Sequence, residues 1–319
     1  MSLYVYPSFV GLPSMDSKCL QFLAAAKFCA AEITVHTTTV PFNSPTGTLP
    51  GFVTEDGVQI TEFEDFVTYL RSQHQAIQLD FELDNEQKSQ FDSYKALLNI
   101  QFVPTLENVF FLDEFNYSAL MINWYSNYVT FPMNIYYLNK RKNLATKIVN
   151  SSGRSNTNLL TDGINVLNML SSKLGESKYF FGTKPSSFDA LIYGYLAPLH
   201  KLPLANTDLQ LHLSALPNLT LFVETITSIY LPLSIDQISY QLQQQTKWMA
   251  YTDKERKRLQ NQRAAQQLRK LEREKAEKTT NNKVILFAVV SLTASLLFAL
   301  HTGIIRVQSE QKHTIRKKR

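Results

Sequence analysis

Hydrophobic and polar positions follow two periods along this chain, a strand-like alternation near the start and a helical spacing after about residue 85, before an uncharged apolar run closes it. Residues 3–6 alternate and predict a short strand; 7–13 read as a loop. From Ser14 onward Cys19, Leu20, Leu23, Ala24, Phe28 and Cys29 recur at helical spacing, which predicts a helix with Ser14 as its N-cap. Alternation through Ile33 and Val35 predicts a second strand over 32–40. Residues 44–51 are turn-rich, 52–53 form a short apolar piece, Glu55, Asp56 and Gly57 suit a hairpin turn, 58–60 suit a strand, and Thr61 is placed to cap a helix reaching Leu70. The order β-α-β, β-hairpin, α predicts a small α/β domain over 1–75.

Residues 73–87 are polar and read as a connection between domains. Helical spacing then runs through 91–109, followed by Phe110, Phe111, Phe115, Trp124, Tyr125, Tyr128, Phe131, Tyr136 and Tyr137. Aromatics at this density form either a core or a partner-binding surface, and the sequence leaves both open. Residues 150–158, rich in Ser and Asn around Gly153, predict a loop. Ser186 and Asp189 have the spacing of a capping box, with the carboxylate returned to the cap and near the positive helix end. Another helix is predicted over 219–230. An all-helical domain is thus expected over 88–235. Residues 236–283 then read as a charged linker, whose 247–278 part has only Leu259, Leu268 and Leu271 as apolar markers. Without sustained heptads it predicts a solvated helical stalk rather than a coiled coil.

Residues 284–305, from Val284 to Ile305, hold no charge, and as a helix they reach about 33 Å, enough to cross a hydrocarbon core. The pattern predicts a tail-anchored protein, the competing reading being a buried helix of a soluble domain. Ser291, Ser295, Ala299 and Gly303 recur every four residues on one face, as in a moderately hydrophobic anchor or a face that lets another helix or a barrel wall approach closely. Residues 306–319 form a basic tail with Arg306, Arg316, Lys317, Lys318 and Arg319. A moderate anchor with such a tail resembles mitochondrial outer-membrane anchors more than those of the endoplasmic reticulum.

Charge divides the chain. Residues 247–319 hold 18 of the 32 Lys/Arg and 6 of the 27 Asp/Glu, a net of +12, so the preceding body carries −7. An acidic body argues against nucleic-acid binding, whereas the basic part suits anionic lipid. Cys19 and Cys29 fit neither a redox pair nor a zinc site, so a reduced, cytosol-facing body without metal is expected. The start lacks the pattern of a signal peptide and the first arginine is Arg71, which places the targeting signal at the C-terminal end.

The element order resembles the thioredoxin-like N-terminal domain of glutathione transferases. That resemblance implies a cis peptide before Pro50, and a glutathione-binding acidic residue and serine at the start of the following helix. Glu62 matches the acidic position, but Phe63 occupies the serine position, and a phenyl ring cannot donate to a carboxylate. The hydroxyls near the first strand, Tyr4, Tyr6, Ser8 and Ser14, read as packing or capping groups, so no catalytic residue and no cofactor are expected. The box at Ser186 and Asp189, after Phe181 and Gly182, resembles the folding motif of the transferase C-terminal domain.

With the tail anchor, the segments Gly11-Leu12-Pro13-Ser14-Met15-Asp16, Ser44-Pro45-Thr46-Gly47-Thr48-Leu49-Pro50, Trp124-Tyr125, Phe131-Pro132-Met133-Asn134 and Lys178-Tyr179-Phe180-Phe181-Gly182 are together similar to the metaxin family, in its tail-anchored, type-one branch. The resemblance implies a non-enzymatic subunit of the mitochondrial outer-membrane sorting and assembly machinery for β-barrel proteins. Its body would face the cytosol and its tail the intermembrane space. The implied partners are a second metaxin subunit, the β-barrel core of that machinery and membrane lipid. Two alternatives remain: an adaptor to motors or other membranes, and a membrane-bound glutathione-dependent transferase.

Overall fold

The computed structural model describes residues 1–73 and 77–302. Four short strands, β1 (Ser2–Val5), β2 (Thr34–Thr37), β3 (Gly51–Val53) and β4 (Gln59–Ile60), form a mixed sheet in the order β2-β1-β3-β4. β1 runs parallel to β2, with Leu3 opposite Val35, and antiparallel to β3, with Leu3 opposite Phe52. The parallel pair needs a crossover, supplied by α1 (Ser17–Phe28). That helix is buried around nearly its whole circumference, the pattern of a helix covered on both sides. Its cap is Asp16, whose Oδ2 accepts from Cys19 N at 3.0 Å, and not Ser14, which is wholly buried with its Oγ facing Asp16 N at 3.4 Å. Similarly α2 (Phe63–Ser72) begins after Glu62, so Thr61 lies outside the helix it was expected to cap.

The helical part comprises α3 (Asn85–Leu97), α4 (Val103–Glu107), α5 (Glu114–Asn116), α6 (Ile122–Tyr128), α7 (Met133–Ser152), α8 (Asn156–Leu174), α9 (Ser187–Lys201), α10 (Asp208–Ser214) and α11 (Pro217–Tyr230). Wider π turns at Leu98–Phe102, Asn108–Leu112 and Tyr117–Met121 interrupt its first helices. At the start of α9 Asp189 accepts from Ser186 N at 2.8 Å and from Phe180 N at 2.9 Å, while Ser186 Oγ accepts from Asp189 N at 3.4 Å. Phe180 and Phe181 both pack edge-on against Phe188, which ties the preceding turn to the helix. Asp80, in the connection, accepts from Ser187 N at 2.8 Å and Ser187 Oγ at 2.6 Å and pairs with Arg71.

α1 packs on α9, and a Cβ built on Gly194 would lie 2.3 Å from Gln21 Cγ and 2.6 Å from the Ser17 carbonyl. Only glycine permits that approach. Sheet and helices thereby share one hydrophobic core within a compact unit, Met1–Leu259. The dense aromatic stretch divides: Phe110, Phe111, Phe115, Trp124 and Tyr125 are core, while Phe131 and Tyr136 are exposed.

α12 (Ile235–His301) corrects the expectation of a fully solvated stalk. Its first turns dock on the body: Trp248 is buried edge-on to Phe9 at 4.7 Å, Gln241 Oε1 accepts from Gly11 N at 2.6 Å, and Thr252 Oγ1 donates to the Pro203 carbonyl at 3.1 Å. Trp248, Thr252, Glu255 and Leu259 fall on one stripe of the helix, a spacing hidden when only leucines are counted as apolar markers.

The second unit begins at Gln260. Within it Thr280–Ala299 has a mean hydropathy of 1.9, has no buried residue, and at about 1.5 Å per residue is long enough to cross a bilayer. Thr293 Oγ1 donates to the Val290 carbonyl at 2.9 Å and Ser295 Oγ to the Ser291 carbonyl at 2.8 Å. Bonded back to their own helix, these hydroxyls need no partner from a hydrocarbon surrounding. Val284, Ser291, Ser295 and Ala299 lie in this helix; Gly303, Ile305, Arg306, Arg316, Lys317, Lys318 and Arg319 lie outside the described residues.

The interdomain cleft as candidate functional site

Beside the α1–α9 contact the same two layers part into a cleft of about 410 Å3. One wall is built by the start of α1 with Asp16 and Lys18, the segment Thr48-Leu49-Pro50, and Glu62 ahead of α2. The other comes from α4 and the π turn after it, with Glu107 and Phe111, and from α7, with Arg141 and Leu144. The Leu49–Pro50 peptide is cis. Ser44 Oγ and Thr46 Oγ1 lie 2.9 Å apart, and Thr46 Oγ1 donates to the Thr48 carbonyl at 3.0 Å. A Cβ on Gly51 would meet Thr46 Oγ1 at 2.1 Å, so this loop lies directly against the start of β3.

Each wall carries one ion pair. Lys18 and Glu62 are 3.7 Å apart and mostly exposed, a weak contact. Arg141 donates to both carboxylate oxygens of Glu107 at 2.7 Å and lies over the Phe111 ring at 4.2 Å. Burial disfavours the Arg141 cation, but the Glu107 charge and hydrogen bonds outweigh it and hold the guanidinium firmly protonated. Neither residue stands out in the sequence, because 34 positions separate them. The available signal is local: Glu107 is the lone acid of the apolar stretch 98–112.

Glutathione does not fit the residues at this cleft. Phe63, the residue after the cleft-lining Glu62, opens α2 with its ring 6.0 Å from that of Phe22 and occupies the position where the transferase resemblance implies a ligand-binding serine. Burial, with Tyr125, Asp16 and Cys19 nearby, pushes the Tyr6 phenol well above its ordinary value, and burial pushes Tyr125 up to about 12. Phenols held neutral in this way are poor bases near neutral pH. Tyr4 stacks on His36 at 4.9 Å, Ser8 is half-buried in its loop, and Ser14 is closed into the core. The Cys19 thiol is also pushed up by burial and the Asp16 charge. Among the described residues no group of three or more His, Cys, Asp or Glu side chains is placed to hold a metal ion. Of the sequence-derived structural positions, Pro50 lies in the cleft, whereas Ser186 and Asp189 belong to the start of α9.

A second groove, of about 650 Å3, adjoins the cleft through Leu49, Arg141 and Leu144 and continues along α7 past Tyr136, Lys140 and Lys147.

Residues 19–142 match the Tom37 family, described as outer mitochondrial membrane transport complex protein, and residues 163–226 match the glutathione S-transferase C-terminal domain. The chain is 39% identical over 318 residues to a Metaxin-1 homolog of Caenorhabditis briggsae, covering 98% of this chain and 99% of that one. It is 29% identical over 317 residues to Metaxin-1 of Mus musculus, covering 97% and 92%. Among solved structures, glutathione transferase GSTFuA3 from Phanerochaete chrysosporium superposes with a TM-score of 0.52 at 11% identity, covering 73% of this chain and 98% of that one, a likeness of fold.

Proposed function

This chain belongs to the metaxin family, and from that premise we propose that it is a non-enzymatic subunit of the mitochondrial outer-membrane machinery that sorts and assembles β-barrel proteins. The observation that carries this reading is the makeup of the cleft. Pro50, Glu107 and Arg141 in its walls fall inside the stretch that matches a transport-complex family, and next to the cleft-lining Glu62, Phe63 stands where the transferase resemblance calls for a hydroxyl. Such a cleft offers apolar walls and a fixed ion pair to another protein, with no reactive group to a small electrophile.

The apolar helix through Val284, Ser291, Ser295 and Ala299 is the anchor of this subunit, and the basic tail from Arg306 to Arg319 is its targeting element. The body faces the cytosol and the tail the intermembrane space. A second metaxin subunit and the β-barrel core of the machinery are the partners, and lipid surrounds the anchor.

Depletion of the protein, followed by import of a radiolabelled porin-type β-barrel into isolated mitochondria, tests the reading. It requires loss of the assembled barrel with normal uptake across the outer membrane. Normal assembly would overturn it, and misplaced mitochondria in the same cells would indicate an adaptor instead. Retention on immobilised glutathione with thiol-transfer turnover would return the protein to the transferases.

A further inference from the structure

The face that α7 turns to the second groove combines aromatic, apolar and cationic groups in one row. Tyr136, Lys140, Leu144 and Lys147 follow each other at helical spacing and line the groove, opposite Leu49 and the loop before it. Tyr136 is 56% exposed and Leu144 50%, far more than an aliphatic or aromatic wall of a filled core. α7 carries Lys140, Arg141, Lys142 and Lys147 and no acidic residue, on a body whose net charge is negative. Two of these cations are engaged, Arg141 with Glu107 and Lys142 over the Tyr117 ring at 4.1 Å. Lys140 and Lys147 are exposed and have no ion-pair partner among the described residues.

Seven residues of helix separate these two lysines by about 10 Å on one face, close to the roughly 9 Å after which an extended polyproline II chain returns every third side chain to the same side. Leu144 lies between them. We propose that this groove binds an extended acidic segment of a partner protein, with two carboxylates three residues apart pairing with Lys140 and Lys147 and an apolar side chain between them packing on Leu144 and Leu49. Concavity favours a peptide chain over a bilayer, because the lysines flank a groove walled by Gly47, Thr48 and Leu49 rather than crowning a convex surface. The inference rests on the groove alone and is independent of the import reading.

The test uses the full chain in nanodiscs of neutral phosphatidylcholine and a fluorescent ten-residue peptide carrying two glutamates three positions apart with leucine between them. Saturable binding is expected, weakened by added salt, and at least tenfold weaker for the Lys140→Glu, Lys147→Glu double variant and for a peptide with glutamine in place of glutamate. The milder Lys140→Gln, Lys147→Gln pair gives the same direction of change should charge reversal disturb the fold. Absence of binding at millimolar peptide, or binding undiminished in the double variants, overturns the proposal. It is also overturned if the variants bind the peptide normally but lose attachment to vesicles containing phosphatidylserine, which would make this a lipid-facing surface.

Discussion

The boundary between the sheet domain and the helical domain is built in two opposite ways within a few turns of α1. Along α1 and α9 it is closed to the limit: Gly194 leaves no space for a methyl group, and Gln21 Nε2 reaches the Leu191 carbonyl at 3.4 Å. At the N-terminal end of α1 it opens into the cleft, where charged groups and the exposed Leu144 face the opening over a floor of buried apolar residues. A tightly locked contact on one side lets the other stay open without loss of domain alignment. Close packing is concentrated along α1 and α9, and open surface lies at the cleft.

The largest effect is expected from filling the closed side. Gly194→Leu forces a side chain into the Ser17 carbonyl, a backbone atom unable to step aside, and should lower stability by at least about 3 kcal/mol in denaturant unfolding. Leu144→Ala, in the open cleft, should cost less than about 1 kcal/mol by the same measurement, and comparable losses would erase the distinction.

Next comes the one group in the cleft wall that is structurally committed. Arg141→Ala strands the mostly buried Glu107 carboxylate and should cost about 2 to 3 kcal/mol. Arg141→Met combined with Glu107→Leu should recover most of that loss, since it is unpaired charge, not the absence of a salt bridge, that destabilises.

A smaller change is expected at the start of α9. Asp189→Ala removes the returned capping bonds and should cost about 1 kcal/mol or more. Burial, opposed by hydrogen bonds from Ser186 and the Phe180 backbone and reinforced by the Asp80 charge, raises the Asp189 carboxyl from 3.8 to about 6. The folded state therefore binds this proton more tightly than the unfolded chain does. Its contribution to stability is complete below about 3.8 and falls as pH rises through about 6. Unfolding midpoints of the wild type relative to Asp189→Asn, measured from pH 4 to 7, should decline over that window; a rising difference would reverse the assignment.

A stability change of about 1 kcal/mol is expected from Phe63→Ser, which loses a half-buried ring and places a hydroxyl next to the cleft-lining Glu62. Weak retention on immobilised glutathione without thiol-transfer turnover is the expected outcome, because Tyr6 remains a neutral, buried phenol. Turnover in this variant would show that a single residue separates the cleft from an active transferase.

These regions were unequally legible in the sequence. The mixed sheet and its crossover helix follow from local alternation, from the turn at Glu55, Asp56 and Gly57, and from a helix apolar on nearly every side, so the order of elements could be read directly. The position of the first cap could not, because Ser14 and Asp16 are both good capping residues and only the path of the loop after Pro13 selects Asp16. Contacts at long separation left little trace: Gly194 looks like an ordinary helix-weakening glycine until Gln21 is set against it, and Glu107 and Arg141 meet only because α4 and α7 do. The docked start of α12 was obscured for a different reason. A glutamine- and lysine-rich stretch reads as solvated, yet Trp248 packs on Phe9 while Gln241 and Thr252 bond to the body from the same face.

The most direct test of the cleft as the working surface is site-specific photocrosslinking during import. A photoreactive residue replaces Leu144 in the cleft wall or, as a control, Leu221 on the exposed side of α11, and a radiolabelled porin precursor is arrested at the outer membrane. An adduct with the precursor from position 144 and none from position 221 is the predicted result. Equal adducts from both positions, or none from 144 while barrel assembly still depends on the protein, would contradict the account.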